Sequence, residues 1–422
     1  MDKLVIEGGR RLEGAVTISG AKNACLPILA ATLLSDEKSV IKNIPALRDM
    51  ATMLKILKNF GARVQQDGST ITVEPAGYKK YSAPYELVST MRASVCVLGP
   101  LLAKQRRAEV SFPGGCVIGP RPIDLHLKGL KALGAEIKVD RGYIIADGRN
   151  LRGGNVYLGG HFGSSVLATA NTMMAATLAK GETVIENAAC EPEVVDLTHF
   201  LIKMGARIKG VATHTLVIEG VKKLHGAEHS VIPDRIEAGT YILAAAITKG
   251  DITLKNAMPD HMVALIDKLT EAGLEIKKTP GGALRARYVR RLRPMDITTL
   301  PYPGFPTDMQ AQFMSLMAVT DGISVITEKI YPERFMHISE LGRMGADILL
   351  EGASAIVKGI KGLSGAPVMA SDLRASAALV LAGLVAKGRT DVQRIYHLDR
   401  GYEKIEEKLL KLGAKVWREK EK

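Results

Sequence analysis

A six-fold internal repeat constrains this chain more than any motif in it. Six times an amphipathic segment runs into a glycine, usually Ala next, then a charge and Ile or Val: LKNFGARV (Gly61), LKALGAEI (Gly134), LIKMGARI (Gly205), LTEAGLEI (Gly273), LGRMGADI (Gly345) and LLKLGAKV (Gly413). The glycines recur every 68 to 73 residues. Glycine takes the positive φ that ends a helix without a Cβ clash, and the branched residue after it opens a strand. Interleaved at the same period are segments almost free of charge: NACLPILAATLL, ASVCVLGPLLA, SSVLATANTMMAATLA, AGTYILAAAIT, MQAQFMSLMAVT and ASAALVLAGLVA. A helix apolar on all sides is a buried helix. Each unit therefore holds one buried helix, one amphipathic helix and several strands, and six units account for all 422 residues. Units this long exceed the ~20–50 residues of most solenoid repeats. We expect an α/β fold of two domains, three units each, with helices inside and sheets outside.

Composition narrows the class. Hydrophobic residues make up 46% and charged residues 24%, as in globular chains with large cores. Cys25, Cys96, Cys116 and Cys190 are too few and too scattered for a disulfide framework, and no C-x-x-C pair suggests zinc. Reduced thiols point to the cytoplasm. The opening MDKLVIEGGRRLEG has no basic-then-apolar leader, and no apolar run reaches the ~18 residues a membrane span needs. No metal, organic cofactor or membrane insertion is expected. A net charge of +13 favours anionic ligands. Neither a phosphate-binding P-loop motif nor Gly-x-Gly-x-x-Gly after a strand is present.

Polar residues on the apolar segments gather at their starts: Lys22-Asn23, Arg92, Ser164-Ser165, Asp234-Arg235-Glu237, Thr307-Asp308 and Asp372-Arg374. A helix N-terminus carries unpaired N–H groups and the positive dipole end, so it attracts anions. Thr307 and Gln310 have capping-box spacing, and Asp308 and Asp372 read equally as first-turn acids. Lys22 and Arg92 oppose the dipole and call for an anionic partner, either a ligand or a structural carboxylate. The stretch SFPGGCVIGPRPIDLHL places Cys116 and Arg121 in a loop rich in Gly and Pro, the kind that closes over substrates. Arg121 and the pair Arg106-Arg107 would favour thiolate; a surface thiol with no role is the alternative. His126 has no second thiol near it to make a metal site. Cys25 and Cys96 read as core residues, Cys190 as partly exposed. RARYVRRLRP, from Arg285 to Pro294, reads as a solvated basic strand edge rather than a nucleic-acid surface.

In chain order the motifs GAKNACLPILAA, PGGCVIGPRPIDLHL, ENAACEPEVVD, PDRIEAGTY, FPTDMQAQF, SDLRASAALVLAG and RIYHLDRGYEKIEEKL resemble the UDP-N-acetylglucosamine 1-carboxyvinyltransferase family of enolpyruvyl transferases over nearly the whole chain. The sister family, 5-enolpyruvylshikimate-3-phosphate synthase, shares the six-repeat fold. The resemblance implies two inside-out α/β domains, each of three βαβαββ-type repeats, with residues 22–232 as one and 1–21 plus 233–422 as the other. It implies transfer of the enolpyruvyl group of phosphoenolpyruvate to the 3′-hydroxyl of UDP-N-acetylglucosamine with release of phosphate, the first committed step of peptidoglycan synthesis. On that reading Cys116 is the general acid toward the methylene carbon, and can form a phospholactoyl adduct or be alkylated by an epoxide. Asp308 meets the 3′-hydroxyl proton as base or positioner. Lys22, Arg121 and Arg400 surround phosphoenolpyruvate, with Arg92 and Arg374 at further anion positions. Asn23 and Ile330 contact the sugar, Arg121, Pro122, Ile123, Asp124 and Leu125 hold uracil and diphosphate, and Ser165 and Val166 contact diphosphate. The partners implied are these two small molecules and no nucleic acid. Leu167 departs from the family's usual glycine, and Gly163 stands where a basic residue is common; His161 offers another polar contact. Two other readings remain: the same fold acting on another acceptor such as shikimate-3-phosphate, and an inactive basic scaffold.

Overall fold

The computed structural model describes residues 2–114, 123–161 and 163–421. The chain divides into two compact units, an internal one spanning 20–114 and 123–232 and an outer one made of 2–19 and 233–421.

One repeat shows how the pattern folds. The nearly uncharged helix Lys22–Ala31 leads to strand Ser39–Lys42, the amphipathic helix Arg48–Phe60, and the hairpin strands Arg63–Asp67 and Thr70–Glu74. The glycine after each amphipathic helix does what its position predicts: Gly61, Gly134, Gly205, Gly273, Gly345 and Gly413 all have φ between +83° and +117°. Among the described residues there are six four-stranded sheets of identical pattern. A short edge strand runs parallel to the strand that follows the buried helix. That strand pairs antiparallel with the second hairpin strand, which pairs antiparallel with the first. Parallel neighbours need a crossover, and in four of the six sheets the buried helix supplies it. Alternation then sets the faces: Ile71 and Val73, Leu216 and Ile218, and Ala355 and Val357 point inward and are buried, while their neighbours face solvent.

Helices fill the interior. In the outer unit Arg235–Ile247, Gln310–Met317 and Leu373–Val385 pack on one another and bury nearly every residue. In the internal unit Val166–Ala176 packs on both Leu98–Gln105 and Lys22–Ala31, and Lys22–Ala31 packs on the segment Arg92–Val97; most of their residues are buried. Burial of each large apolar side chain is worth roughly 1.5–3 kcal/mol. The second internal helix begins as a 3-10 segment, Arg92–Val97. Pro100 lacks an N–H and its ring crowds the carbonyl of residue 96, which suits a tightened preceding turn.

Three sheets are completed from far along the chain. Strand Asp2–Glu7 lies inside the last sheet, with Leu4 opposite Val392 on one side and Arg418 on the other. Strand Glu13–Thr17 is the parallel edge of the fourth repeat's sheet, and Glu228–Ser230 plays that part in the first. The main chain also passes very close to the ends of buried helices. A Cβ at Gly220 would fall 1.6 Å from the carbonyl oxygen of Ala179, and one at Gly359 would fall 1.6 Å from that of Thr320.

The RARYVRRLRP run is not at an edge. Strand Leu284–Tyr288 is an inner strand between Asp251–Lys255 and Leu274–Lys278. Its arginines alternate outward, and Arg285 donates to both carboxylate oxygens of Asp251 at 2.7 and 2.5 Å, while Arg291 pairs with Asp321 at 2.5 Å. Cross-strand carboxylates thus neutralise part of the run. No helix among the described residues is long and apolar enough to cross a membrane.

Candidate active site

In the outer unit the start of the helix Gln310–Met317 carries the densest charge cluster. Asp308 sits in the 3-10 turn Thr307–Met309 that leads into the helix. Its Oδ1 accepts from Arg334 Nη1 at 2.9 Å, and its Oδ2 accepts from Arg374 Nε and Nη2, both at 3.0 Å. Arg374 and Arg334 are buried, with side chains 4% and 6% exposed, whereas the side chain of Asp308 is 27% exposed. Burial alone would raise the Asp308 carboxyl; the two guanidiniums more than reverse it and hold the group far below the usual carboxylate range. Asp308 is thus fixed, ionised and weakly basic. The alternative of a plain first-turn acid does not describe it.

The capping-box expectation for Thr307 and Gln310 fails. Thr307 Oγ donates to Glu328 Oε2 at 2.9 Å and accepts from Arg334 Nη1 at 3.0 Å, while both amide atoms of the buried Gln310 lack hydrogen-bond partners among the described residues. Thr307 is the first residue of the 3-10 turn and Pro306 its N-cap, and the Thr307 oxygen accepts from Arg334 rather than from a backbone N–H. Asp372 does serve its helix: Oδ1 accepts from the N–H groups of Arg374 and Ala375 at 2.8 and 3.1 Å, capping Leu373–Val385. Arg374 lies over the Tyr402 ring at 5.4 Å, and its buried Nη1 has no hydrogen-bond partner among the described residues. His337 is buried nearby; burial first, and Arg334 as well, push its imidazole down to about 4 against the pull of Asp372, so it is neutral at pH 7. Arg400 ends the turn Leu398–Arg400, which packs against the helix carrying Arg374. Ile330 follows Glu328, whose Oε1 accepts the Ile330 N–H at 2.8 Å.

The internal unit has its own cluster. Lys22 is the first residue of its helix, and its Nζ lies 2.8 Å from Asp49 Oδ2, the two side chains being 11% and 4% exposed. A structural carboxylate therefore meets the cation that the dipole opposes. Asn23, next to it, is exposed. Arg92 opens the 3-10 segment, and its charge adds to burial in pushing His126 down to about 3. Asn171 Nδ2 donates to Val95 O at 2.9 Å and lies 2.8 Å from His126 Nδ1. The neutral ring must then accept at Nδ1, which leaves its proton on Nε2.

Ile123 precedes the helix Asp124–Ala132, with Asp124 exposed and Leu125 half-buried at its start. That helix packs on Val166–Ala176, whose N-cap Ser165 accepts from the Ala168 N–H at 3.3 Å. Leu125 also abuts the hairpin Gly159–Gly160/Gly163–Ser164, since a Cβ at Gly160 would lie 3.0 Å from Leu125 Cδ1. Residues 123–125 and 165–166 are thus neighbours. Leu167 lies in the first turn of a regular helix and packs against the core, so a glycine's freedom is not needed there. Cys116, Arg121 and Pro122 lie outside the described residues. Cys25 and Cys96 are core residues, the latter pushed up to about 12 by burial. Cys190 is more buried than expected, 8% exposed, with Sγ 3.4 Å from His214 Nδ1. No cluster of three His, Cys, Asp or Glu fit for a metal occurs among the described residues.

Sequence reading of the helix starts missed Arg334, Glu328 and Asp49, which sit away from them yet hold Asp308, Thr307 and Lys22.

The family model described as EPSP synthase (3-phosphoshikimate 1-carboxyvinyltransferase) matches residues 6–409. A UDP-N-acetylglucosamine 1-carboxyvinyltransferase from Myxococcus xanthus is 57% identical over 424 residues, covering 100% of both chains. One from Methylacidiphilum infernorum is 55% identical over 418 residues, covering 99% of both. Among solved structures, the enolpyruvyl transferase NikO from Streptomyces tendae superposes with a TM-score of 0.89 at 25% identity, over 99% of this chain and 98% of that one. EPSP synthase from Acinetobacter baumannii does so with a TM-score of 0.76 at 18% identity over the full length of both. The inside-out α/β architecture of the repeats is that of these neighbours.

Proposed function

The chain belongs to the enolpyruvyl transferase family that takes its description from EPSP synthase, and we infer that it moves the enolpyruvyl group of phosphoenolpyruvate onto the 3′-hydroxyl of UDP-N-acetylglucosamine, releasing phosphate. It is a transferase of peptidoglycan synthesis. The observation that carries this reading is the 57% identity, end to end, to a relative named for that reaction.

We assign the groups as follows. Asp308 receives the acceptor hydroxyl. Its low basicity suits a positioner that accepts a hydrogen bond better than a base that keeps the proton. Arg374, whose buried Nη1 has no hydrogen-bond partner among the described residues, offers a donor to an anion. Lys22 and Arg400, with Arg121, serve phosphoenolpyruvate, and Arg92 a neighbouring anion position. Asn23 and Ile330 serve the sugar, and Pro122, Ile123, Asp124, Leu125, Ser165 and Val166 the uridine diphosphate. Cys116 donates the proton to the methylene carbon. A nucleotide-sugar substrate and three free, buried cysteines agree with a cytoplasmic enzyme, and roles in cell shape and division follow from wall synthesis.

The test is phosphate release. It is expected only when phosphoenolpyruvate and UDP-N-acetylglucosamine are both present, and not when shikimate-3-phosphate replaces the sugar nucleotide. Silence with the first pair rules the reading out. Binding to generic duplex DNA without binding the sugar nucleotide would favour a basic scaffold instead. In the same assay Cys116→Ala should bind the sugar nucleotide but lose turnover by on the order of 100-fold. Cys116→Asp should keep part of it and resist thiol alkylation. An alanine variant with normal turnover removes Cys116 from the mechanism.

A further inference from the structure

We propose that Glu328 is a positioning residue for the acceptor step: its buried carboxylate ties the Ile330 loop to Thr307 and, through Thr307, fixes Arg334 on Asp308. The proposal rests on the assignment of Asp308 to the acceptor hydroxyl. Glu328 follows the strand Ile323–Thr327 and is 0% exposed. Burying a carboxylate is costly unless donors converge on it, and here four do. Oε1 accepts from Thr299 Oγ at 2.6 Å and from the N–H groups of Ile330 and Tyr331 at 2.8 and 3.0 Å. Oε2 accepts from Thr307 Oγ at 2.9 Å.

The direction of that last bond decides the rest. Glu328 accepts in all four of these bonds, so the single hydroxyl proton of Thr307 goes to Glu328. The Thr307 oxygen must then present a lone pair to Arg334 Nη1, 3.0 Å away, and that same nitrogen reaches Asp308 Oδ1 at 2.9 Å. Arg334 makes no other hydrogen bond among the described residues apart from its backbone N–H, which donates to Tyr331 O at 2.8 Å. Hydrogen bonds thus hold its guanidinium at Thr307 and Asp308, while Asp372 Oδ1 faces Nη2 at the longer distance of 4.0 Å. Glu328 sets both the polarity of Thr307 and the backbone of the loop that ends at Arg334.

Three variants test this: Thr307→Val, Thr307→Ser and Glu328→Gln. Each is assayed for kcat and KM in phosphate release from phosphoenolpyruvate and UDP-N-acetylglucosamine, with thermal unfolding in parallel. Thr307→Val keeps shape but loses both bonds, so kcat should fall about 10-fold while KM for phosphoenolpyruvate changes less than about twofold. Thr307→Ser restores the hydroxyl and should recover most of kcat. Glu328→Gln can keep its carbonyl on the Ile330 loop, but its amide donates to Thr307 and turns that proton toward Arg334; kcat should fall like that of the valine variant. Wild-type kcat in Thr307→Val or Glu328→Gln, or a serine variant as impaired as valine, overturns the proposal while wild-type turnover upholds the function. Absence of phosphate release by the wild type overturns both.

Discussion

Asp308→Asn should lower kcat by on the order of 1,000-fold, about 4 kcal/mol of transition-state stabilisation. The carboxylate sits where two buried guanidiniums converge, at 2.9 and 3.0 Å, and one face of it stays open. Asparagine keeps the shape but replaces one acceptor oxygen with an amide donor, which one of the arginines repels. The acceptor hydroxyl then loses its anionic neighbour while two cations lose their counter-charge. The sign of the pH effect follows from the same contacts. The carboxyl is held below its unfolded value of ~3.9. Its contribution to stability is therefore complete above that value and is lost as pH falls toward the folded pKa. Across neutral pH Asp308 stays charged, so a limb in kcat above about pH 5 belongs to another group. The variant's circular dichroism should match wild type at pH 7 with a lower unfolding temperature. An asparagine variant with wild-type kcat would remove Asp308 from the reaction.

Gly359→Ala should be the most damaging single methyl in the outer unit. The added Cβ would fall 1.6 Å from the Thr320 carbonyl oxygen and 2.5 Å from its carbon, so backbone, not a side-chain tip, would have to move. Overpacking against a fixed main chain costs about 3 kcal/mol, or roughly 6–12 °C in Tm for a unit of this size. Gly345→Ala is the control. Gly345 has φ of +93° and nothing within 4 Å of a Cβ, so only conformational strain is at stake, about 1 kcal/mol. Thermal unfolding of both variants should show the gap; equal shifts would mean that the close approach relaxes at little cost.

How much of this was legible varies residue by residue. The six glycines ending amphipathic helices were readable because φ > 0 leaves a sequence signature. The apolar helices were readable because a buried cylinder needs no polar face. That Lys22 required an anion was also readable, but Asp49 was not, since a salt bridge across 27 positions leaves no local pattern. The repeat itself held the missing signal. Lys22 pairs with Asp49 and Asp308 with Arg334, 26 or 27 positions on, each partner lying at the start of, or just before, its amphipathic helix. Register between repeats thus brings a residue from the second helix of a unit to the start of the first, with the charges reversed between the two cases. Scanning helix starts alone could not find Arg334 or Glu328. The strand position of RARYVRRLRP was misread for a related reason: outward arginines look like an edge until the carboxylate across the ladder, Asp251, is known.

The placement of strand Asp2–Glu7 has a consequence in time. It is an inner strand, flanked by Arg389–Gln393 and Lys415–Lys420. During synthesis at ~5–20 residues per second, it leaves the ribosome roughly 20–80 s before its partners do. The internal unit, drawn from residues 20–232, has all its strands within that interval. The nascent chain therefore finishes its middle first and carries an unpaired apolar strand, with Leu4, Val5 and Ile6, until the last residues arrive. That waiting strand is where a chaperone would be needed most.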